Sequence, residues 1–508
     1  MRRTVVLIVL DGWGIGEDNE SNPIHVAKPE NFQRLTELYP VTSLQASGIS
    51  VGLPWGEVGN SEVGHLTLGA GKVVYQYYPK ITLAVQDGTF FDNPVLKNAC
   101  AHAKTKGGRV QFVGLLTKAN THAALEHLQA LLAMAGKENV PAYLHLFADG
   151  LDSPPRSLIK FLTEIPHDKL ATLTGRYYAM DRNENWPLAE RTAQVMLGHG
   201  PLTADLAEAL RQYFSQNSSE EFLPPLRLSA DGAIRANDAV VFFNFREDGI
   251  RQLAEAFINP QFDKFSIALP PDLYVATLTR YAERFNAPVA FPADTVELPL
   301  GQVLAEADKT QLRLAETYKY AHVTYFFNGH REAPFPNEYR ALVPSLNQIH
   351  PEDKPDLMAA AVTDRLVEAV RNQSFDFVLV NYSNPDTIGH TGNYAACLGA
   401  IKAVDREIGR VLAALEGTPT TLIITSDHGN IEEVLNPATG VIETQHDKNP
   451  VPFYLVGPEF AGRRFPNFAR LRSETGGLLS DVAPTVLEIM GVNQPPQMNG
   501  RSLLRDLI

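Results

Sequence analysis

Residues 375–430 read FDFVLVNYSNPDTIGHTGNYAACLGAIKAVDREIGRVLAALEGTPTTLIITSDHGN, and this stretch decides the fold. It contains two short runs rich in Val, Ile and Leu, Phe375 to Val380 and Thr421 to Thr425, which are typical of buried parallel strands. Between them, Tyr394 to Leu415 repeats apolar residues at three- and four-residue spacing, which predicts an amphipathic helix. Strand, helix and strand in this order indicate a doubly wound α/β sheet.

Acidic residues follow the predicted strands of this sheet. Val5 to Leu10 is a further buried apolar run, and Asp11 comes directly after it. Asp386 and Asp427 follow the two strands of the opening stretch in the same way. Because functional groups of such sheets gather beyond the carboxyl ends of the strands, we expect these three carboxylates to lie close together.

The middle of the chain predicts a second α/β unit. Its apolar runs are separated by helical patterns such as Thr121 to Met134. The predicted strands are Val110 to Leu116, Tyr143 to Phe147, Val240 to Phe243 and Tyr274 to Leu278. Crossings between the units are expected near Tyr75 to Pro79 and at Leu298-Pro299. We therefore expect one domain built from residues 1–75 and 299–508, with residues 76–298 inserted as a second domain.

The composition describes a folded protein without a nucleic-acid or membrane partner. A chain of 508 residues is too long for one ordinary core, so at least two domains are expected. The formal net charge of -14 argues against nucleic-acid and anionic-membrane surfaces, since those attract clustered Lys and Arg. No segment approaches the roughly 20 apolar residues that span a bilayer. Cys100 and Cys397 are too few for a disulfide framework, so we expect a cytoplasmic protein. We also expect it to be a monomer.

Oxygen and nitrogen side chains at the strand ends predict a metal site. Asp386 and His390 are four residues apart and would share one face of a short helix. A single Asp and His pair is more often a hydrogen-bonded loop feature, but three such groups at strand ends favour metal binding. The set suits Mn, Zn or Mg, and comprises Asp11, Asp386, His390, Asp427, His428 and His446.

Ser61 is a candidate nucleophile. It lies in Gly59-Asn60-Ser61-Glu62-Val63-Gly64-His65, a glycine-flanked turn before a predicted helix. Ser is favoured as a helix N-cap, which is the simpler interpretation of this residue. In the functional interpretation, a metal ion and a helix N-terminus both favour its alkoxide. Two metal ions roughly 3.5 to 4 Å apart could then support in-line displacement at phosphorus.

Several motifs together resemble those of the cofactor-independent phosphoglycerate mutases. The similarity extends nearly from end to end, with the motifs in the same order. They are Val9-Leu10-Asp11-Gly12-Trp13-Gly14, Gly59 to His65, Ala315-Glu316-Thr317-Tyr318-Lys319-Tyr320-Ala321-His322-Val323-Thr324, Asn384-Pro385-Asp386-Thr387-Ile388-Gly389-His390, Asp427-His428-Gly429-Asn430 and Asp447-Lys448-Asn449-Pro450-Val451-Pro452.

The resemblance implies a fold, a reaction and a ligand set. The fold is an alkaline-phosphatase-like domain made from both chain ends, with a substrate-binding phosphotransferase domain inserted. The reaction is interconversion of 3-phosphoglycerate and 2-phosphoglycerate through a phosphoserine at Ser61, without 2,3-bisphosphoglycerate. The implied ligands of one metal are Asp386, His390 and His446, and those of the other are Asp11, Ser61, Asp427 and His428. Manganese is the usual ion, with Mg²⁺, Co²⁺ or Zn²⁺ as alternatives.

The resemblance also implies a set of residues that hold the substrate. Arg suits this role because its guanidinium meets a carboxylate or a phosphate with two parallel hydrogen bonds. Asp152 would move protons between the glycerate hydroxyls, and Lys319 would take part in catalysis. The residues at the family's substrate positions are His122, Asp152, Arg176, Arg182, Arg246 and Lys319.

The chain departs from the family pattern at two arginine positions. Leu151 and Gly249 stand where the family usually has Arg, and the loop before His122 is also altered. We hypothesise that Lys118, Arg156 or Arg251 partly restores the positive field. One alternative is a metal-dependent phosphatase, or a phosphomutase for a different phosphorylated acid or sugar. Another is an inert binding protein that keeps the fold.

Overall fold

The chain divides into two compact units, which are described separately. A computed structural model describes residues 4–346, 349–436, 438–463 and 470–508. The discontinuous unit comprises Met1–Gln76 and Asp294–Ile508, and the inserted unit comprises Tyr77–Ala293. The chain crosses between them after residues 76 and 293. The sequence placed these crossings after residues 75 and 298.

The strands are numbered in chain order. They are β1 (Val5–Leu10), β2 (Val41–Gln45), β3 (Val110–Leu116), β4 (Ala142–Ala148), β5 (Leu170–Gly175), β6 (Leu226–Arg227), β7 (Ala239–Phe242), β8 (Tyr274–Thr277), β9 (Gln311–Glu316), β10 (Glu338–Val343), β11 (Phe377–Tyr382), β12 (Thr421–Thr425), β13 (Val451–Val456) and β14 (Gly477–Leu478).

The α-helices are numbered in the same way. They are α1 (Pro23–Ala27), α2 (Glu30–Leu38), α3 (Ser61–Ala70), α4 (Tyr77–Asp87), α5 (Pro94–Lys106), α6 (Leu125–Lys137), α7 (Leu158–Leu162), α8 (Arg176–Ala179), α9 (Trp186–Met196), α10 (Leu206–Gln216), α11 (Arg251–Ile258), α12 (Leu300–Glu306), α13 (Ala359–Arg371), α14 (Asn384–Gly389), α15 (Tyr394–Leu415), α16 (Val482–Met490) and α17 (Leu504–Leu507).

The sheet of the discontinuous unit has the strand order β10-β9-β11-β1-β12-β13-β2-β14. Strands β10, β9, β11, β1 and β12 run parallel to one another, whereas β13 is antiparallel to both β12 and β2. Strand β1 lies between β11 and β12, with Val5 opposite Phe377 and Thr421. The end of the chain's first strand is therefore flanked by the ends of two strands from its last third.

Strand β1 is buried on both faces of this sheet. Val6, Ile8 and Leu10 belong to one apolar cluster, which includes residues of helices α13 and α15. The alternate residues of the strand belong to a second cluster, with residues of helices α12 and α16. A strand covered by helices on both sides is a continuous apolar run, which explains why the sequence could identify it.

The inserted unit has its own sheet, in the order β6-β5-β4-β3-β7-β8. Strands β5, β4, β3, β7 and β8 are parallel, and the short β6 is antiparallel to β5. A separate apolar core forms around these strands and includes Phe112, Leu146 and Phe242. The carboxyl ends of the parallel strands again share one edge, as in the discontinuous unit.

The predicted α/β fold class is confirmed by these two sheets. Strands β1, β3 and β12 and helix α15 have the bounds that the sequence predicted. Helix α6 begins at Leu125, so residues 121–124 form a loop rather than the start of a helix. Among the described residues, no helix is long and apolar enough to cross a membrane.

Candidate metal centre and arginine cluster

The predicted metal ligands of the discontinuous unit come together at one edge of its sheet. Asp11 follows β1, Asp386 lies in α14 directly after β11, and Asp427 and His428 follow β12. Because β11, β1 and β12 are parallel neighbours, their carboxyl ends place these side chains side by side. All four residues are buried.

Asp386, His390 and His446 form the first group of ligand atoms. His390 is the C-cap of helix α14, so it lies one helical turn after Asp386, as the four-residue spacing predicted. The Nε2 atoms of the two histidines are 3.0 Å apart, and each is 3.2 Å from Asp386 Oδ1. The Nδ1 atoms lie 2.8 Å from the carbonyl oxygens of Thr444 and Gly59 respectively.

These backbone contacts determine which ring nitrogens are free. A carbonyl oxygen only accepts, so Nδ1 of His390 and of His446 must carry the proton that each donates. In the neutral rings, each Nε2 then presents its lone pair toward the other and toward Asp386. Two lone pairs and a carboxylate oxygen that converge in this way are the donor set of a cation site.

Asp11, Ser61, Asp427 and His428 form a second group beside the first. Ser61 Oγ lies 3.0 Å from Asp11 Oδ1 and 2.9 Å from His428 Nε2. His428 Nε2 is also 3.5 Å from Asp11 Oδ1 and 3.7 Å from Asp427 Oδ2. The hydroxyl of Ser61 thus lies against Asp11 and His428, two of the side chains that the resemblance assigned to the same metal.

Ser61 is the first residue of helix α3 rather than its cap. The side chain of Asn60 accepts a hydrogen bond from Val63 N and therefore caps the helix. The N-cap interpretation of Ser61 is wrong, because Asn60 performs that role and leaves the Ser61 hydroxyl free. The helix also approaches β12 closely at Gly64, where a Cβ atom would lie 2.5 Å from the carbonyl oxygen of Asp427. A larger residue there would push Ser61 away from the strand ends.

Lys319 lies at the centre of both groups. Its Nζ atom donates to Asp11 Oδ1 at 2.6 Å, to Asp386 Oδ2 at 2.7 Å and to Ser61 Oγ at 2.8 Å. An ammonium group has three protons, so these contacts use all of them. Because Lys319 donates to Ser61 Oγ, the proton of the serine hydroxyl must point elsewhere, toward Asp11 or His428.

Burial and charge act in opposite directions on the ionisable groups here. Burial alone would lower the pKa of Lys319, but the charges of Asp11 and Asp386 outweigh it and raise that pKa above its usual value. Burial would raise the pKa of Asp386, but Lys319 holds it well below the usual range. Burial lowers the pKa of His428, yet the neighbouring carboxylates raise it to about 9. The buried carboxylates therefore dominate the electrostatics of the centre and favour positive charge on the groups beside them.

The residues present fit divalent cations. The ligand atoms of each of three trios lie within 4.8 Å of one another, and the trios share members. Among the described residues, buried Asp427 Oδ2 makes no hydrogen bond of normal geometry, although His65 Nδ1 lies 3.0 Å away, so this oxygen keeps lone pairs that can face a cation. The trios are Asp386, His390 and His446; Asp11, Asp386 and His428; and Asp11, His65 and Asp427. Oxygen and imidazole donors without thiolate suit Mn, Mg, Co or Zn.

Sequence reasoning missed two residues of this centre. His65 is fully buried, and its Nδ1 atom lies 3.0 Å from Asp427 Oδ2. Asn381, in strand β11, donates from Nδ2 to Asp11 Oδ2 at 2.7 Å. The only signal in the sequence for His65 was its position one helical turn after Ser61. Asn381 gave no signal, because an Asn near the end of an apolar strand has many structural explanations.

The predicted substrate residues of the inserted unit also gather at the carboxyl ends of strands. We call His122, Asp149, Asp152, Arg176, Arg182, Arg246 and Asp248 the arginine cluster. Arg176 Nη1 donates to Asp149 Oδ1 and to Asp152 Oδ2, both at 2.7 Å. Asp248 lies 3.0 Å from Arg182 Nη1, 3.5 Å from Arg246 Nε and 3.2 Å from His122 Nδ1. Three arginines thus share three carboxylates.

The members of this cluster differ in exposure. The side chain of Arg176 is 10% exposed, whereas those of Arg182 and Arg246 are 66% and 52% exposed. Burial lowers the pKa of His122, although the nearby charge of Asp248 opposes this. Arg176 is therefore fixed by the protein, while Arg182 and Arg246 can reorient toward an anion.

The two positions that depart from the family pattern have distinct surroundings. The side chain of Leu151 is among the exposed apolar groups, with 62% of the residue's surface accessible. A Cβ atom at Gly249 would lie 2.9 Å from Met180 Cε and 3.3 Å from the Met180 carbonyl oxygen. Any side chain at position 249 would require Met180 to move, so this backbone does not accommodate an arginine without adjustment.

The three candidate replacement cations have other partners. Lys118 pairs with Glu164 at 2.6 Å. Arg156 donates to backbone carbonyls, including that of Phe214 at 3.2 Å. Arg251 donates from Nε to the carbonyl oxygen of Tyr281 at 3.0 Å. These contacts do not support the hypothesis that one of them replaces a missing arginine.

Comparisons with known proteins define first the class and then the family. Residues 3–494 match the family model described as the Metalloenzyme superfamily, in agreement with the Asp and His groups at the strand ends. The 2,3-bisphosphoglycerate-independent phosphoglycerate mutase of Synechococcus sp. (strain JA-3-3Ab) is 44% identical over 512 residues, covering 99% of this chain and 96% of the relative. The enzyme of the same name from Moorella thermoacetica is 42% identical over 521 residues and covers 99% of each.

A solved structure agrees with these relatives. Phosphoglycerate mutase of Leishmania mexicana, crystallised at low cobalt concentration, aligns with a TM-score of 0.53 at 25% identity, covering 99% of this chain and 97% of that one. The chain belongs to the family of 2,3-bisphosphoglycerate-independent phosphoglycerate mutases. The resemblance drawn from the motifs is confirmed, and membership implies dependence on a divalent metal.

Proposed function

We propose that this protein interconverts 3-phosphoglycerate and 2-phosphoglycerate through a phosphoserine on Ser61. The observation that carries the proposal is the surroundings of the Ser61 hydroxyl at the start of helix α3. Lys319 Nζ, His428 Nε2 and Asp11 Oδ1 all lie within 3.0 Å of its oxygen. A hydroxyl held among a cation, an imidazole and a carboxylate at a helix N-terminus is suited to nucleophilic attack on phosphorus.

Two divalent cations would be held by the two groups described above. Asp386, His390 and His446 would bind one, and Asp11, Ser61, Asp427 and His428 the other. When bound, the ions would supply positive charge that favours the Ser61 alkoxide and stabilises the transferring phosphoryl group. We propose manganese as the ion in use because the oxygen and imidazole donors suit it, with Mg²⁺, Co²⁺ or Zn²⁺ as substitutes.

The residues of the discontinuous unit account for the first transfer. Ser61 Oγ forms a bond to phosphorus while the bond between phosphorus and the glycerate oxygen breaks. The hydroxyl proton of Ser61 passes to Asp11 or His428, and the departing oxygen takes up one proton and becomes a glycerate hydroxyl, so the protons balance. Lys319, which donates to Ser61 Oγ, would keep the attacking oxygen in place and offset the negative charge that develops beside it. The second transfer reverses these steps at the other hydroxyl.

The arginine cluster would hold the glycerate. His122, Arg182 and Arg246 would bind its carboxylate or phosphate, since all three now share the carboxylate of Asp248. Asp152 would exchange protons with the glycerate hydroxyls, and Arg176 would orient the Asp152 carboxylate through their 2.7 Å hydrogen bond.

We further propose that the protein acts on this small molecule in the cytoplasm, as a monomer.

The decisive experiment is to incubate the purified protein with Mn²⁺ and 3-phosphoglycerate and to follow both products. The proposal predicts 2-phosphoglycerate at equilibrium with its isomer and little inorganic phosphate. Release of inorganic phosphate as the main product would instead identify a phosphatase. No turnover of phosphoglycerate, together with turnover of another phosphorylated acid or a sugar phosphate, would identify a different phosphomutase.

A phosphatase outcome has a physical reason in this chain. Leu151 and Gly249 stand where the family usually has Arg, so the glycerate would have fewer cationic partners. A glycerate that is held less firmly leaves before the second transfer, and water then takes the phosphoryl group. The ratio of 2-phosphoglycerate to inorganic phosphate measures this competition directly. Adding a Leu151→Arg variant to the assay shows whether a cation at this exposed position changes the ratio.

A further inference from the structure

Two buried residues connect the nucleophile to one of the carboxylates without any role in the proposed reaction. His65 lies in helix α3, four residues after Ser61, and Asn381 lies in strand β11. Both are buried, with at most 1% of their surfaces exposed. Buried side-chain amides and imidazoles require hydrogen-bond partners, and the partners of these two define a single arrangement.

Asp11 determines which way the Asn381 amide faces. Nδ2 of Asn381 lies 2.7 Å from Asp11 Oδ2. An ionised carboxylate only accepts hydrogen bonds, so the amide nitrogen and not the amide oxygen must face it. The same nitrogen lies 3.1 Å from His65 Nε2. Because an amide nitrogen has two protons and no lone pair to offer, it donates one proton to Asp11 and the other to His65.

The orientation of the Asn381 amide in turn determines the tautomer of the His65 ring. Nε2 accepts the proton of Asn381, so the proton of the neutral ring is on Nδ1. Nδ1 lies 2.9 Å from the carbonyl oxygen of Ser61 and 3.0 Å from Asp427 Oδ2. Both ring nitrogens are therefore used within the protein. His65 belongs to a trio with metal-ligand spacing, yet it has no lone pair left for a cation.

We propose that Asn381 and His65 are positioning residues that hold Asp11 and Ser61 in register for the metal centre. The inference rests on the proposed function, in which Asp11 is a metal ligand. Asn381 engages Asp11 Oδ2 and leaves Oδ1 to face Lys319, Ser61 and His428. His65 continues the connection to the backbone of Ser61. The carboxylate thus presents one chosen oxygen, at a fixed distance from the nucleophile.

The proposal predicts a particular pattern of effects. Residues that orient a metal ligand typically change metal affinity or activity by about 10- to 100-fold when they are removed. Asn381→Ala and His65→Ala should each weaken Mn²⁺ binding and lower kcat by amounts in that range. KM for 3-phosphoglycerate should change by less than about threefold, because neither side chain is among those proposed to bind substrate. The double variant should lose little more than the worse single variant, since both residues serve one connection.

Conservative variants separate the two ends of the connection. His65→Asn keeps a donor near the position of Nδ1, whereas His65→Gln keeps an acceptor near the position of Nε2. His65→Gln should preserve the contact with Asn381 and hence most of the Mn²⁺ affinity. His65→Asn should preserve the contact with the Ser61 carbonyl and recover less of that affinity. A role in packing alone would not distinguish the two amides.

Helix α3 offers a matched control. Thr67 is fully buried and donates from Oγ1 to the carbonyl oxygen of Val63 at 2.8 Å, four residues earlier, as His65 does to Ser61. Thr67→Val removes a bond of the same kind without touching Asp11. This variant should retain the Mn²⁺ affinity of the unaltered protein.

The experiment is titration of each purified protein with Mn²⁺, with free ion followed by electron paramagnetic resonance, alongside kcat, KM and melting temperature. Weakened binding in the Ala variants, no excess loss in the double variant and recovery in His65→Gln support the inference. Unchanged Mn²⁺ affinity, or losses that simply add, overturn it, and so does an equal loss in Thr67→Val. If the unaltered protein binds no Mn²⁺, the proposed function fails as well. If it binds Mn²⁺ and turns over while the variants equal it, only this inference fails.

Discussion

The metal centre and the arginine cluster are built on the same plan but fixed to different degrees. Both occupy the carboxyl ends of parallel strands, one in each unit. In the metal centre, Asp11, Asp427 and His428 are fully buried, and backbone carbonyl oxygens orient the rings of His390 and His446. In the arginine cluster, two long side chains are largely exposed and share one carboxylate. The side chains of the metal centre are thus held in place by burial and hydrogen bonds, whereas Arg182 and Arg246 can change conformation.

The largest expected effect is at the nucleophile. Ser61→Ala should lower turnover of 3-phosphoglycerate by at least about 10⁴-fold and abolish phosphoprotein formation, because no other group takes over its bond to phosphorus. Turnover and a phosphoprotein assay with labelled substrate test this. Ser50→Ala is a suitable control, since the Ser50 hydroxyl donates to the carbonyl oxygen of Ser47. Turnover of Ser61→Ala close to that of the control would refute the covalent route.

The second effect concerns the buried charge of Lys319. Lys319→Met leaves Asp11 and Asp386 without their shared cation, and breaking a buried ion pair costs roughly 3–5 kcal/mol. The melting temperature of the metal-free variant should therefore fall markedly, and added Mn²⁺ should raise it more than in the unaltered protein. Lys402→Met, at an exposed position of helix α15, should do neither. Equal stability losses in the two variants would contradict the buried-charge account.

The third effect is a pH dependence in the inserted unit. Burial lowers the pKa of His145 to about 3, so the folded protein keeps this ring neutral while the unfolded chain protonates it near pH 6.5. The contribution of His145 to the free energy of unfolding should be fully present above pH 6.5. It should be lost as the pH falls toward about 3, by up to roughly 1.4 kcal/mol per pH unit.

His145→Gln provides the control for this pH dependence. The ring of His145 contacts Thr172 Oγ1 and Gln111 Oε1, and a glutamine amide can replace part of that bonding. The variant should show a shallower loss of melting temperature between pH 6.5 and pH 4. Parallel profiles for the two proteins would mean that this histidine does not cause the loss.

The smallest effect sharpens the contrast within the arginine cluster. Arg182→Ala should change the free energy of unfolding by less than about 1 kcal/mol, because its ion pair with Asp248 is exposed to solvent. Arg176→Ala removes a buried partner of two carboxylates and should cost about 3 kcal/mol. Chemical denaturation of both variants measures the difference. Similar losses would mean that the two arginines are equally fixed.

The helices and strands that could be predicted are those whose burial follows one regular pattern from their first residue to their last. Strands β1 and β12 are covered on both faces, so each is an unbroken apolar run in the sequence. Helix α15 is long and packs one face, which gives a clear periodicity. Edge strand β10 alternates buried and exposed positions irregularly, and β13 contains Pro452. These strands depend on neighbours from distant parts of the chain, which a local pattern does not contain.

The same distinction applies to the candidate site. The convergence of Asp11, Asp386 and Asp427 could be predicted because each of these carboxylates follows a recognisable strand. The contacts of Asn381 and His65 could not, since they join residues 316 positions apart through hydrogen bonds that leave no local pattern. The N-cap of helix α3 could not be predicted from the sequence either. Asn60 and Ser61 are both suitable N-cap residues, and the backbone conformation shows that the cap is Asn60.

The central position of strand β1 has a consequence for synthesis of the protein. Thr4 donates from its side chain to the carbonyl oxygen of Phe375, 371 residues later. The two neighbours of β1 in the sheet, β11 and β12, both follow that residue in the sequence. A growing chain must therefore carry this apolar strand without its partners while the whole inserted unit is made. An unpaired apolar strand is a site of aggregation, so chaperone protection of the first residues should matter most before the last third of the chain has been translated.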